Sequence, residues 1–486
     1  MNIIFWTGVF ELSAHYRAIG AYQLSWWMRQ HGYDCQVIDF IHHMSVEELV
    51  NFTEKFITKD TLCLGVSSTF WSQLKPKNKI WSMSRLEPIS VPDVVESALH
   101  EIKNRHPKIK IVLGGVSADF IPAESYKLFD VSIVGDAEDT FLDLVNAWRD
   151  QKSIFHAVQR GGRPFINAAA NCVFDIQNSS HRFTEQDCII PGETLPLEIS
   201  RGCIFRCSFC QYPHLGKTKF DYLRKFDLIA QEIQHNFDKF KTTNYYILDD
   251  TFNDSDYKMQ GWKNAIDQLD FDINYTAYLR ADLLNRNSSH IELLKNTGLM
   301  SGFFGIESFN GQASRAVGKG WSGRQARQFL PELKSIWQND VTFHCSFIVG
   351  LPPETVGEYY QTHQWLLDHD MDSWVFKPLL ITPGFRTMSS DFDRNFEKYG
   401  FTYDHDSQQW STPYMTSQKA VAVASVLNRL GEKHVKVTSW KALSLLGLGI
   451  SKYQLNNVRS VDFDWQEVVE KKNNFIVAYK NKLNSL

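Results

Sequence analysis

Long apolar runs are absent from this chain. No stretch approaches the roughly 20 apolar residues of a membrane-spanning helix, and the N-terminus lacks the basic region and small-residue cleavage site of a secretion signal. An excess of charge of one sign is also absent, since the formal net charge is only −4 at pH 7. That value gives no electrostatic case for nucleic acid as the main partner. We therefore expect a protein of the reducing cytoplasm, with neither membrane nor nucleic acid as a partner.

The composition is otherwise that of an ordinary globular protein. At 486 residues the chain is too long for one core, so two or three domains are expected. Aromatic residues make up 14% and include 14 tryptophans. This content fits either flat ligands held by stacking or simply large cores, and the sequence leaves both open.

Three of the eight cysteines are crowded into residues 200–211, where Cys203, Cys207 and Cys210 form a Cys-x3-Cys-x2-Cys run. Crowded thiolates suit a soft metal centre. An iron–sulfur cube ordinarily takes four cysteine ligands. Because only three lie here, one iron would stay open for a small molecule. Phe209 directly precedes the third cysteine.

Three other interpretations of these cysteines stay open at this point. Zinc needs a fourth ligand and usually a second cysteine pair; the pair is missing, although His214 could serve. Disulfides are disfavoured at such close spacing without a secretion signal. The cysteines could also be small buried hydrophobes, as the five scattered ones are expected to be.

Residues 1–150 alternate short apolar strands with amphipathic helices, the first helix covering residues 14–29. Such alternation predicts a Rossmann-like (flavodoxin-like) domain with a parallel sheet. Ligands of such sheets bind beyond the carboxyl ends of the strands. The loops expected there are residues 6–13, 67–90, 114–120 and 135–139.

The remaining chain predicts three further regions. Residues 151–190 have poor periodicity and many turn formers, which indicates a linker with some short strands. Residues 191–390 resume the alternation and predict a partial (β/α)6 barrel of the TIM type, with polar groups converging at its mouth. Residues 391–486 predict a small, mostly helical region that covers the barrel and contacts the substrate.

Several motifs carry a resemblance to a known family. The cysteine run resembles the signature of radical S-adenosylmethionine (SAM) enzymes, and residues 249–252, 278–282, 305–308 and 348–352 resemble that family's later motifs in order and spacing. Residues 67–68, 114–115 and 135–138 are similar to turns of the cobalamin-binding domain that precedes many radical SAM cores.

The resemblance implies roles for individual residues of the barrel. Cys203, Cys207 and Cys210 would hold a 4Fe–4S cluster whose open iron chelates SAM. Arg280 would bind the SAM carboxylate and Glu307 the ribose hydroxyls, unless each forms an internal salt bridge. The remaining implied SAM contacts are Phe209, Asp249, Asp250, Val349, Gly350 and Leu351. For Asp249 and Asp250 the alternatives are substrate binding or helix capping.

In the first domain the resemblance implies a cobalamin site. Its implied contacts are Ser67, Ser68, Gly114, Gly115 and Gly135. The family's Asp-x-His-x-x-Gly element is not intact, because aligning its glycine on Gly20 puts Arg17 where the cobalt-ligating histidine would stand. A guanidinium has no lone pair to offer. The cobalamin would then lack a histidine ligand, with Arg17 beneath it. The alternative is a Rossmann module that binds no cofactor.

The implied activity is reductive cleavage of SAM to a 5′-deoxyadenosyl radical, followed by cobalamin-dependent methyl transfer to an unactivated carbon. The implied partners are a small-molecule or peptide substrate and an external one-electron reductant of the flavodoxin or ferredoxin type. Two alternatives stay open: a radical SAM cyclase, epimerase or rearrangement enzyme without methyl transfer, and a non-catalytic metal- or cluster-binding protein. Catalytic residues of the chain itself are not identified.

Overall fold

The structure is a computed structural model that describes residues 1–9, 15–71, 89–153, 157–168, 174–212, 214–383 and 389–486. The predicted loops 6–13 and 67–90 lie partly outside these residues. Two mostly parallel sheets follow one another along the chain, and helices complete the C-terminal part. This architecture confirms the predicted α/β fold class.

The first sheet has seven strands in the order β2-β1-β3-β4-β5-β7-β6, and only β6 is antiparallel to its neighbour. Its strands are β1 (Asn2–Trp6), β2 (Asp34–Ile38), β3 (Thr61–Ser67), β4 (Lys110–Gly114), β5 (Val131–Val134), β6 (Val158–Arg160) and β7 (Arg163–Asn167). Its helices are α1 (Ile19–Gln30), α2 (Val46–Phe56), α3 (Asp93–Arg105) and α4 (Glu138–Arg149). The order of the first five strands is the flavodoxin-like one, whose ligand crevice opens where the order reverses, between β1 and β3.

Two details differ from the sequence-based expectation. Strands β6 and β7 are short strands of the kind expected within residues 151–190, but β7 also extends the first sheet by pairing with β5. Burial of Phe165 and Ile166 explains why this short strand joins the sheet. Helix α1 begins at Ile19 rather than at residue 14, because the backbone at Ala18 is still extended.

The second sheet contains six parallel strands in chain order, as predicted. They are β8 (Leu195–Leu197), β9 (Asn244–Ile247), β10 (Asn274–Leu279), β11 (Leu299–Glu307), β12 (Thr342–Val349) and β13 (Ser373–Pro378). The helices of this part are α5 (Phe226–Phe240), α6 (Asp256–Ile266), α7 (Ala281–Arg286), α8 (Ser289–Asn296), α9 (Gly311–Ala316), α10 (Gly323–Trp337) and α11 (Val356–Asp368). The sheet is therefore a partial barrel whose strand ends share one mouth.

The C-terminal part contacts both preceding parts. It comprises α12 (Asp391–Arg394), the hairpin of β14 (Thr402–Asp404) and β15 (Gln409–Ser411), and then α13 (Ser417–Gly431), α14 (Ser439–Gly447), α15 (Lys452–Asn457) and α16 (Trp465–Ser485). Helix α14 closes the amino end of the barrel, where Ser439 N donates to Ser301 Oγ at 2.8 Å. Helix α16 packs on the first domain through the buried Tyr479 and Leu483. Within the described residues, none of the helices is both long and apolar enough to cross a membrane.

Candidate active site

The cysteine loop follows β8 at the mouth of the barrel. Its backbone closes on itself, because Cys203 N donates to His214 O at 2.9 Å and Cys210 N donates to Cys207 O at 3.0 Å. Burial raises the pKa of the Cys210 thiol to about 12. Iron binding must therefore displace a proton from this side chain.

A mononuclear zinc site is not supported by this loop. Across the described ranges, no three His, Cys, Asp or Glu side chains converge closely enough to hold one metal ion. The candidate fourth ligand, His214, instead points its Nε2 at Asp136 Oδ2, 3.1 Å away. A cluster in which each cysteine binds its own iron does not require such convergence.

Asp249, implied as a SAM contact, instead fixes the segment that leads into the cysteine loop. Its Oδ1 accepts hydrogen bonds from the backbone N–H groups of Ile199 and Ser200, both at 3.0 Å. Its Oδ2 accepts from Ser200 Oγ at 2.6 Å and lies 2.6 Å from Lys258 Nζ. The side chains of Asp249 and Lys258 are both fully buried. Asp249 thus holds the segment that leads into the cysteine loop.

Asp250, its neighbour in sequence, is exposed and lies on the side of Tyr212 and His214. Partial enclosure and the adjacent Asp249 charge raise the pKa of the Asp250 carboxyl to about 6. This side chain stays available to a ligand, and its implied role remains a prediction.

Arg280 lies beside the cysteine loop and is already paired. Its Nε and Nη2 bind the two carboxylate oxygens of Asp282 at 3.0 and 2.9 Å. Its Nη1 lies 3.7 Å from Cys207 Sγ, and the guanidinium stacks 3.9 Å from the centroid of Phe205. The internal salt bridge therefore exists, and the remaining edge of the guanidinium faces Cys207.

Glu307 ends β11 at the same mouth, with a positive φ of 66°. Its Oε1 is bound by Lys319 Nζ at 3.2 Å, so here too the internal salt bridge is present. Because Lys319 belongs to a separate turn, the motif around Glu307 gives no hint of this partner.

The segment after β12 completes the mouth. Gly350 has a φ of 112°, which favours glycine, and an added Cβ would collide with Trp410. The hydroxyl of Tyr359 accepts from the N–H groups of Gly350 and Leu351 at 2.8 and 3.2 Å and donates to Glu354 at 3.1 Å. The other two implied contacts, Val349 and Phe209, are respectively buried and half-buried against the barrel core.

A second site lies where the carboxyl ends of β1, β3, β4 and β5 face the cysteine loop. This cavity has a volume of about 420 Å³. We refer to it as the interdomain cavity. Of the residues implied for cobalamin, Ser67, Gly114, Gly115 and Gly135 line it. Ser68 does not, because it is fully buried and its Oγ donates to Gly114 O at 2.8 Å.

Arg17 does not reach the interdomain cavity, contrary to the implied position beneath a corrin. Its guanidinium is fully buried, and its Nε binds Glu193 Oε1 at 2.7 Å. Its Nη1 donates to the Tyr22 hydroxyl at 2.5 Å, and its two Nη groups donate to backbone carbonyls at 3.0 Å. Arg17 is therefore held by internal contacts away from the lining of the cavity. Glu193 lies 176 residues away, which is why no local pattern reveals the pair.

The interdomain cavity also borders the barrel. Glu198, Arg201, Tyr212 and His214 line its far side. Arg201 ties the two domains together, since its Nη1 lies 2.9 Å from Glu138 Oε1 and its Nη2 lies 3.0 Å from Glu198 Oε2. The sequence did not single out Arg201, and its position one residue before the glycine of the cysteine loop was the only available signal.

Comparison with known proteins identifies the central part of the chain. Residues 197–366 match the model of the radical SAM superfamily. This match supports the predicted radical SAM domain, and such a domain implies an iron–sulfur cluster, SAM, a reductant and a substrate.

Curated relatives are distant. An uncharacterized methyltransferase of Pyrococcus horikoshii is 25% identical over 299 residues, which cover 58% of this chain and 63% of the relative. The chain thus spans less than two thirds of that relative's length. The bacteriochlorophyllide d C-8(2)-methyltransferase of Chlorobaculum tepidum is 19% identical over 365 residues, covering 73% of this chain and 77% of the relative.

Solved structures share the fold over most of the chain. TsrM of Kitasatospora setae, a radical SAM methyltransferase solved with tryptophan substrate and a SAM analogue, aligns with a TM-score of 0.64 at 13% identity and covers 98% of this chain and 99% of its own. OxsB, a cobalamin-dependent SAM radical enzyme solved with aqua-cobalamin and SAM, aligns with a TM-score of 0.60 at 13% identity and covers 89% of this chain and 67% of its own. Residues 197–366 are thus a radical SAM domain, in a chain that has the two-sheet fold of TsrM and OxsB.

Proposed function

We propose that this protein is a cobalamin-dependent radical SAM methyltransferase that methylates an unactivated carbon of its substrate. The observation that carries the proposal is the interdomain cavity, which is lined on one side by the strand ends of the first domain and on the other by Arg201, Tyr212 and His214 of the cysteine-loop region. A ligand in this cavity would lie next to the cluster that activates SAM.

The walls of the interdomain cavity suit a corrin. Aromatic and branched aliphatic side chains supply flat apolar contact, which is what a macrocycle needs. They include Phe5, Trp6, Leu24, Val66 and Phe141. Glycines keep the cavity open: a Cβ on Gly114 would meet no protein atom within 4 Å, whereas one on Gly115 would lie 2.6 Å from Thr69 Oγ1. The cavity therefore offers a cradle that ordinary side chains would fill.

The residues around the barrel mouth are assigned to the cluster and SAM. Cys203, Cys207 and Cys210 would hold the cluster and leave one iron for SAM. Arg280 contributes positive charge beside Cys207, while Asp250, Glu307 and the Val349–Leu351 backbone are the remaining polar contacts for SAM. When bound, the cluster, SAM and cobalamin supply the radical and methyl-transfer chemistry, and the protein supplies placement and the exclusion of water.

The name of the Chlorobaculum tepidum relative gives bacteriochlorophyllide d as its acceptor, TsrM was solved with tryptophan as substrate, and the name of the Pyrococcus horikoshii relative gives no acceptor. We therefore do not infer the methyl acceptor of this protein from the acceptors of these proteins. Its expected partners are a small-molecule or peptide substrate and a small one-electron donor of the flavodoxin or ferredoxin type.

The test fills the interdomain cavity without disturbing the protein. Gly114→Val projects a side chain into open space, and Gly357→Val places the same residue at an exposed position of α11 as the matched control. We expect the wild type and Gly357→Val to bind hydroxocobalamin, measured by its visible spectrum after gel filtration, and Gly114→Val to lose at least tenfold in affinity.

Reductive SAM cleavage by the reconstituted cluster should persist in both variants. A wild-type protein with no affinity for hydroxocobalamin would remove methyl transfer and leave the cyclase, epimerase or rearrangement chemistry. Absence of SAM cleavage as well would leave only a non-catalytic cluster-binding protein.

A further inference from the structure

The lumen of the barrel contains an aromatic floor that the assignments above do not use. Tyr278, Phe303 and His344 belong to β10, β11 and β12, and the strand register places them in one row. The ring centroids of Tyr278 and Phe303, and those of Phe303 and His344, are each 4.9 Å apart. Trp440 of α14 approaches from the amino end and stacks 5.5 Å from Phe303. These four side chains form the aromatic floor.

One side chain of the aromatic floor is exposed, although its neighbours along the strand are buried. Ala277 and Leu279, the neighbours of Tyr278 on β10, are buried in the core beneath the outer helices. Tyr278 is 40% exposed, although it lies on an inner strand and its ring is 6.4 Å from that of Trp440. Two residues further along the same face, Arg280 reaches Cys207. The exposed Tyr278 therefore lies on the part of the lumen between the aromatic floor and the cysteine loop.

Besides Arg280, which is paired with Asp282, a lysine borders this part of the lumen. Lys377 on β13 is exposed, and its Nζ lies 5.4 Å from the centroid of Phe303. In the described parts of the chain its ammonium forms no hydrogen bond or ion pair, and the one carboxylate that influences it, Glu307, is bound by Lys319 at 3.2 Å. The surrounding protein lowers the pKa of Lys377 by partial burial. An anion bound nearby would favour the charged form of this lysine.

The other polar ring of the aromatic floor is neutral. His344 Nδ1 is hydrogen-bonded to Ser373 Oγ at 2.8 Å, which fixes the ring. Burial lowers the pKa of His344 to about 3, so the imidazole carries no charge at neutral pH. His344 therefore provides a flat surface, and Lys377 provides the positive charge beside it.

A packed core would account for the aromatic rings alone, but it would leave neither an exposed tyrosine nor an unpaired lysine inside a barrel. We propose that this lumen binds the substrate, and that the substrate is a flat aromatic ring system carrying one acidic group. The ring system lies on the aromatic floor and the acid binds Lys377. The proposal rests on the proposed function, since it names the substrate class of the radical SAM domain.

The test measures binding without catalysis. Isothermal titration of the full chain, with its cluster reconstituted anaerobically, compares 2-naphthylacetate, its neutral amide 2-naphthylacetamide and the non-aromatic cyclohexylacetate. We expect the aromatic acid to bind most tightly. Lys377→Gln should raise the dissociation constant of the acid about tenfold or more, as expected for loss of a charge-assisted hydrogen bond. It should leave the dissociation constant of the amide within twofold of the wild-type value. Phe303→Leu should weaken both aromatic probes.

Lys419→Gln, an exposed position on α13, serves as the matched control and should change no affinity. Three results would each overturn the substrate class. They are an equal loss of affinity for acid and amide in Lys377→Gln, similar affinities for all three probes, and no binding at millimolar concentration. Hydroxocobalamin binding and SAM cleavage are measured on the same preparations. If the wild type shows neither hydroxocobalamin binding nor SAM cleavage, the proposed function is refuted. If the wild type shows both but binds the three probes without preference, only this inference is refuted.

Discussion

Replacing Lys258 by methionine tests whether a buried ion pair supports the cysteine loop. The Lys258 ammonium is fully buried and contacts four oxygens: Asp249 Oδ2 at 2.6 Å, Ser200 Oγ at 2.9 Å, Thr251 O at 3.0 Å and Asp254 Oδ2 at 3.7 Å. Methionine preserves most of the stem but removes the charge. The variant would therefore leave two carboxylates buried without their cation.

Removing one partner of a buried pair costs about 3–5 kcal/mol. The matched control is Lys263→Met on the same helix, α6, where the pair with Asp267 has side chains 45% and 55% exposed. Exposed pairs of this kind contribute about 0–1 kcal/mol. We therefore expect Lys258→Met to lose several times more stability than Lys263→Met.

The loss in Lys258→Met should also depend on pH. Burial already raises the pKa of the Asp254 carboxyl, and Lys258 opposes that rise. Without the ammonium this folded-state pKa rises further above the unfolded value. The buried charge then destabilises the variant above the unfolded pKa, and the penalty is relieved as the pH falls and the carboxyl takes up a proton.

The assay is urea denaturation of the metal-free protein at pH 5 and pH 8, followed by circular dichroism, with midpoints compared because a chain of several domains need not unfold in two states. Iron and sulfide content after reconstitution gives the functional readout. Since Asp249 holds the backbone that enters the cysteine loop, iron content should fall more in Lys258→Met than in the control. Equal midpoints and equal iron content in the two variants would refute this reasoning.

Three further predictions concern other buried groups. Burial raises the pKa of Glu354 to about 8 from an ordinary 4.5, so the wild type loses stability as pH rises through that window; Glu354→Gln should show a flatter pH dependence of its urea midpoint, and an unchanged slope would contradict the assignment. Cys207→Ala should abolish iron binding and SAM cleavage. The control Cys345→Ala, in the core of β12, should retain both activities although it destabilises the fold. Iron retained at the wild-type level in Cys207→Ala would count against the ligand set. Arg17→Met should lower the free energy of unfolding by about 3–5 kcal/mol, because it leaves Glu193 buried without its cation. The spectrum of bound cobalamin should stay unchanged, and an altered spectrum would indicate that Arg17 contacts the cofactor.

Comparison of Asp249 with Asp250 shows where sequence reasoning ends. The motif assigns both carboxylates to one ligand, because consecutive polar residues after a strand reach the same sheet edge. The folded chain separates them. Asp249 is buried and contacts Ser200 and Lys258, while Asp250 is exposed. Both residues follow the end of β9 at Ile247, and the identity of the buried partners depends on segments that the motif does not contain.

The sequence by itself determined the two-sheet α/β architecture, and it also supplied the predicted cysteine ligand set. Strand–helix alternation and the spacing of Cys203, Cys207 and Cys210 are local properties, readable without knowing which segments meet. Only the tertiary structure decided that Arg17 pairs with Glu193, that Arg201 joins the two domains and that Trp440 enters the barrel from the C-terminal part. These contacts join residues far apart in the chain, so their energies depend on which surfaces the packed elements bring together, and no local pattern carries that information.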